Sequence, residues 1–187
     1  MENRVETMQQ INTIKQNILL ENNNSFFYKN DVKDKQKTAI QETIQFDKLL
    51  RACVYIIKDT NNIYIDYQVL KLFANPDNYS TIVDYLIYNI NENINTFGTF
   101  NAHINIHTFS VTACQRYLPV IKMFLEKCNN YNTTYSTKIS KLYIYNTPLT
   151  IANISAMLQP FIFPDLRKNI VLYDKNESST LLMQLMS

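Results

Sequence analysis

Apolar residues recur along this chain with two different periods. In the first segment Val5, Met8, Ile11, Ile14 and Ile18 fall three or four apart, which is the spacing of one helical face, and they predict a helix from about Glu2 to Leu20. The cluster Asn22-Asn23-Asn24-Ser25 ends it, and the aromatic patch Phe26-Phe27-Tyr28 follows as a plug into the core. A second helix is predicted from about Asp31 to Leu50, with Asp31 as its N-cap and Ala39, Ile40, Ile44 and Leu49 facing inward. The pattern then changes. Ala52 to Lys58 and Ile63 to Tyr67 are rich in β-branched and aromatic residues. They flank the polar turn Asp59-Thr60-Asn61-Asn62, which predicts a β-hairpin.

Beyond the hairpin the two periods alternate. Asn75-Pro76-Asp77 opens a helix from about Tyr79 to Asn93, with Ile82, Tyr85, Leu86 and Ile90 on its inner stripe. Ala102 to His107 reads as a strand, Thr112 to Cys128 as a helix and Asn129 to Ser136 as a polar loop. Lys141 to Tyr145 is a strand, Ile151 to Leu158 a helix, and a helical turn at about Asp165 to Lys168 leads into a strand from Asn169 to Tyr173. A last helix, about Ser178 to Met186, carries Leu181, Leu182, Leu185 and Met186. Strands alternating with helices imply α/β architecture: a mixed, mostly parallel sheet flanked by helices. Residues 1–50 form a short helical N-terminal segment ahead of the main domain, residues 51–187.

Composition narrows the function. The 187 residues suit one domain, and 46% hydrophobic against 18% charged residues is enough for a real core. A net charge of +2 does not call for nucleic acid, and the many tyrosines are not interleaved with a basic stripe. The heavy use of Asn, Ile, Tyr and Lys, all with AT-rich codons, points to an AT-rich genome such as a protist's or a large DNA virus's. Gly98 is the single glycine. That excludes a P-loop, a dinucleotide-binding turn and a Gly-x-Ser-x-Gly elbow, each of which needs several. Cys53, Cys114 and Cys128 are widely spaced, and the N-terminus reads without a signal peptide, so reduced thiols and a cytoplasmic location are expected. No apolar run reaches the roughly 18 residues that span a bilayer.

Candidate chemistry is sparse. His103 and His107 fall on one predicted strand, on the same face about 13 Å apart, which is too far to share a metal ion. They are expected as exposed strand-end residues. Asp165 and Asp174 read as helix-cap and loop residues, and nothing supplies a nucleophile. No catalytic residue, metal site or cofactor is therefore assigned.

One segment carries more. It reads KLYIYNTPLTIANISAMLQPFIFPDLRKNIVLY from Lys141 to Tyr173. A strand ends in the turn Asn146-Thr147-Pro148; a helix follows; a second turn is Gln159-Pro160-Phe161-Ile162; Arg167-Lys168-Asn169-Ile170-Val171 enters the next strand. This order resembles the lipid-gate half of the CRAL-TRIO lipid-binding domain family. Upstream, the hairpin at Asp59 to Asn62, the helix entry at Asn78-Tyr79, and Arg116-Tyr117-Leu118-Pro119 after the strand at 102–107 are similar in order to the same family. The resemblance covers about residues 52–186 and is most specific between 141 and 173.

It implies a CRAL-TRIO-like domain in which a sheet floors an apolar pocket beneath a mobile helix. The implied lipid-binding residues are Tyr117, Ile121, Phe124, Tyr143, Tyr145, Ile151, Ile154, Leu158, Phe161 and Ile162. The implied ligand is a phospholipid or other hydrophobic small molecule, with a membrane surface or a protein as transient partner. Three departures favour an alternative. Gln159 replaces the lysine of the family's Lys-Pro-Phe turn, His107-Thr108-Phe109 stands where an acidic residue is usual, and the gate helix holds Ala152, Asn153, Ser155 and Ala156. The alternative is a non-catalytic protein-interaction or structural module, viral for example, that keeps the fold and has lost the lipid.

Overall fold

The computed structural model describes residues 2–21, 29–130 and 135–186. The predicted turn at 22–25 and the aromatic plug at 26–28 lie outside the described residues, as do residues 131–134 of the predicted polar loop. Helix α1 (Glu2–Glu21) buries Thr7 and Ile11, with Met8, Ile14 and Ile18 half-buried. Val5 is exposed, and Arg4 begins the inner stripe instead. The predicted second helix is two: α2 (Lys29–Thr43) and α3 (Phe46–Cys53). Gln45 breaks them apart with extended backbone, φ −57° and ψ 141°, and its carbonyl accepts the first amides of α3.

Strand β1 (Val54–Ile56) pairs antiparallel with β2 (Asn62–Asp66). The predicted hairpin is there, shortened because α3 runs through Cys53. Helix α4 (Tyr67–Phe73) follows directly where the sequence pattern suggests only the end of a strand. Asp66 caps it, accepting from the Gln68 amide at 2.8 Å. Asn75 and Asn78 cap each other's backbone ahead of α5 (Tyr79–Phe97), which runs a turn beyond prediction to Gly98. Gly98 has φ +76°, the left-handed conformation that closes a helix and strains any side chain.

Strand β3 (Phe100–Asn105), helix α6 (Val111–Asn130), the short α7 (Tyr135–Lys138) and strand β4 (Ile139–Tyr145) come next. The chain ends with α8 (Ile151–Leu158), a 3-10 turn at Gln159–Phe161, α9 (Pro164–Arg167), β5 (Ile170–Leu172) and α10 (Lys175–Met186).

The five strands lie in the order β1-β2-β3-β4-β5, parallel from β2 onward. This is the α/β, mostly parallel mixed sheet predicted. Every parallel crossover moves one strand in the same direction. Right-handed connections therefore put α5 and α6 on one face, where Val83 and Val120 share a core with Ile63 and Ala102. Alternation and register assign that face Ile63, Ala102, Leu142 and Ile170, while Tyr64, His103, Tyr143 and Val171 point to the other. Ile11, Ile40 and Ile44 of the N-terminal helices are buried in the same core as Val54, Ile63, Val83 and Ala102. Apolar burial thus ties residues 1–50 to the sheet.

Candidate functional site

The segment from Asn146 to Arg167 crosses from β4 to β5 over the edge of the apolar face. It is built to hold its shape with little burial. Asn146 takes φ 58°, tolerated because its short amide bonds locally, and its Nδ2 donates to Asn105 Oδ1 at 2.9 Å. The next residue anchors the turn: the amide and the hydroxyl of Thr147 both donate to the Tyr173 carbonyl, at 3.0 and 2.9 Å. Leu149 then stands fully in solvent.

Helix α8 packs against α6. Of its side chains only Ile154 is buried; Ile151, Met157 and Leu158 are half-buried, and Ala152, Asn153, Ser155 and Ala156 are exposed. The turn that follows is stapled by Arg167. Its guanidinium donates to the Gln159 carbonyl at 2.8 Å and to the Ile162 carbonyl at 3.1 and 3.2 Å. Lys122 of α6 places its ammonium 4.4 Å from the centre of the Phe161 ring. A cavity of about 290 Å³ lies here, lined by Lys122, Leu125, Glu126, Pro160 to Pro164 and Arg167. On β4 and β5, Leu142, Ile144 and Ile170 are half-buried, and Leu172 is 44% exposed. The gap is bounded by α6 and by the turn and short helix that follow α8. Its lining offers apolar contact from Leu125, Phe161, Ile162 and Phe163, with Lys122, Arg167 and the carboxylate of Glu126 as charged neighbours.

The ten residues singled out by the resemblance divide into three groups. Ile121, Phe124, Ile151, Leu158, Phe161 and Ile162 are half-buried on α6 and the 151–162 segment. Ile154 and Tyr117 are buried. The Tyr117 ring meets Tyr67 edge-on at 5.8 Å, and burial raises its hydroxyl pKa to about 12. Tyr143 and Tyr145 do not join the others. Strand alternation turns them to the face opposite Ile63 and Ala102, which Leu142 and Ile144 share.

The histidines also differ from expectation. The strand ends at Asn105, so His107 lies beyond it and is exposed, while His103 is buried. Sequence reading missed Arg167 as a staple, Lys122 as a ring contact and the floor residues of β4 and β5. The period-two alternation of Leu142-Tyr143-Ile144-Tyr145 divides this strand between the two faces of the sheet.

A family model described as CRAL/TRIO domain matches residues 35–186. Among solved structures the chain is similar to the crystal structure of Sfh5, with a TM-score of 0.50 and 16% sequence identity, over 60% of this chain and 42% of that one. The chain thus spans less than half the length of that relative, and the likeness is one of fold. No curated protein matches the sequence. No described helix is long and apolar enough to cross a membrane. With most of its length matched by the family model and its sheet and crossovers arranged as above, the chain belongs to the CRAL/TRIO domain family.

Proposed function

We propose that this protein binds and carries a lipophilic small molecule, without catalysis, in the cleft between α6, β4–β5 and the segment 151–162. One observation carries the reading. Apolar side chains of α6 (Leu125) and of the turn after α8 (Phe161, Ile162 and Phe163) line one open gap, and Ile151 and Leu158 of the preceding helix are half-buried. An acyl chain entering the gap gains about 0.8 kcal/mol per methylene buried, so five or six give about 4–5 kcal/mol with no polar contact. The cavity of about 290 Å³ falls just below the roughly 300–1,000 Å³ typical of small-molecule sites. A longer chain then requires α8 to move outward, pivoting at Asn146–Pro148 and at Pro160.

A second reading has an observation of its own. Gln159 offers no cation to a phosphate where the family's turn has lysine, and the gap is small. A structural module that keeps the fold without lipid would share both features. Native mass spectrometry on protein purified from eukaryotic cells, with uptake of a fluorescent phospholipid and a fluorescent sterol, separates the readings. The carrier reading expects a co-purified lipid or uptake of a probe. Neither being seen would favour the module.

A further inference from the structure

At one corner of the fold the inner stripes of three helices run out into lysine. On α2, Lys33 and Lys37 lie on the side of the buried Ile40 and Ile44, where the helical period would place apolar residues. On α1, Lys15 stands one turn beyond the buried Ile11. On α4, Lys71 precedes the buried Leu72 and Phe73. The helices are clamped to one another there. Gln36 Nε2 donates to the Lys15 carbonyl at 3.0 Å, and Gln41 Nε2 to the Leu72 carbonyl at 2.9 Å. The Lys71 ammonium donates to Thr108 Oγ1 at 2.9 Å, in the turn after β3, and lies 5.7 Å from the centre of the Tyr67 ring. Thr108 has φ 64°, a conformation that a β-branched residue rarely adopts, so Lys71 holds a strained turn.

These cations are gathered without anions of their own. Among the described residues, no carboxylate comes within 4 Å of Lys15, Lys33, Lys37 or Lys71. Segments 7–20, 67–76 and 100–125, which carry Lys15, Lys71 and Thr108, contain no Asp or Glu. The acid whose field reaches Lys15 and Lys71 is Asp66, which is buried and 3.8 Å from Arg4. Burial lowers the pKa of Lys15 and of Lys71, and the charges of Lys15 and Lys33 lower that of Lys71 further. Asp31, Asp34 and Glu42 line a cavity with Glu21 and Ile18, on another side of α2. Like charges crowded on one face repel, and an opposite charge arriving from outside relieves the repulsion.

We infer that this corner is a docking surface for an acidic, Asp- and Glu-rich segment of a partner protein. A bilayer surface is held by cations together with a broad apolar face. Here Leu19 of α1 stands exposed one turn beyond Lys15, while α2, α4 and the turn after β3 expose no large apolar side chain. Phosphate is gripped best by Arg forks and by backbone amides at a helix N-terminus. Single ammonium groups on flexible stems, spread over three helices, suit carboxylates distributed along a chain. The surface shares no residue with the site under α8, so it does not depend on the lipid reading.

The probe is a short fluorescein-labelled peptide of alternating Glu and Ala, with a Gln and Ala peptide as control. Fluorescence anisotropy with the full chain should show saturable binding of the Glu peptide alone, weakening as salt rises. Lys33 is exposed, so Lys33→Gln leaves the core intact; it should weaken binding about threefold. Lys33→Gln with Lys71→Gln should weaken it about tenfold. Circular dichroism checks folding, and if the double variant unfolds, Lys33→Gln decides. Lys141→Gln removes an exposed lysine from β4 and should leave the affinity unchanged. No binding of the Glu peptide would overturn the surface. So would full affinity in Lys33→Gln, or an equal loss in Lys141→Gln, which would mean attraction to charge in general. Pelleting with phosphatidylserine vesicles that Lys33→Gln abolishes, without peptide binding, would assign the corner to a membrane and overturn it too.

Discussion

Acidification acts on His103 in a way that can be computed before it is measured. Burial pulls its pKa from the ordinary 6.5 down to about 4. Between those values the unfolded chain holds a proton on this ring and the folded chain does not. Stability contributed by the neutral ring is therefore present above the unfolded value and is lost as pH falls through the window. Each pH unit inside it is worth about 1.4 kcal/mol, which gives a loss of about 2–3 kcal/mol between about pH 7.5 and pH 4.5. That is a large share of the roughly 5–15 kcal/mol of a typical domain.

Asp66 works in the opposite direction. Burial is the largest influence on its carboxyl and raises it, against the Gln68 amide and Arg4, so it returns some stability as it protonates. The comparison must therefore be between the natural chain and His103→Phe. Urea unfolding followed by circular dichroism at four pH values gives the two curves. The natural chain should lose about 2–3 kcal/mol relative to the variant toward acid. A separation constant to within about 0.5 kcal/mol would mean that His103 is not held neutral and buried.

Other expectations follow from single contacts. Arg167→Met removes the donor to the Gln159 and Ile162 carbonyls on an exposed turn; it should cost about 1 kcal/mol and speed hydrogen exchange across residues 151–163, read by mass spectrometry. Unchanged exchange there would deny the staple. Tyr117→Ala empties a buried ring position and should cost about 3–5 kcal/mol in urea unfolding; a loss under about 1 kcal/mol would mean the ring serves an open pocket rather than the core. Gly98→Ala meets no atom within 4 Å, so its cost comes from φ +76° alone. About 1–2 kcal/mol is expected from thermal unfolding, and a stabilised variant would contradict that backbone.

The sequence made the architecture readable where period and punctuation agreed. The switch from helical to alternating spacing marks β4 and β5, and Pro148 and Pro160 bracket α8, whose limits match the predicted Ile151 to Leu158. It failed where the backbone turns without a signal residue. Gln45 breaks the predicted second helix with neither glycine nor proline, because a carbonyl of extended backbone can start a new helix unaided. Helix α4 was hidden because Tyr67 and Val69 suit a strand as well as a helix, and the Asp66 cap decided the matter. At the site, the resemblance supplied the segment but could not say which side of β4 faces it. That is fixed by register, and register placed Tyr143 and Tyr145 with His103. The staple at Arg167 depends on where two carbonyls point, which no residue pattern shows.

The most direct test of the lipid-carrier reading is covalent mapping of a bound lipid. A phosphatidylcholine bearing a diazirine near the end of one acyl chain is loaded onto the protein, activated by light, and the labelled residues are found by peptide mass spectrometry. Label should fall on α6 around Ile121 to Leu125, on residues 151–162 and on Leu142, Ile144, Ile170 or Leu172. Absence of label in all of these, with lipid bound, would contradict the assignment of the cleft.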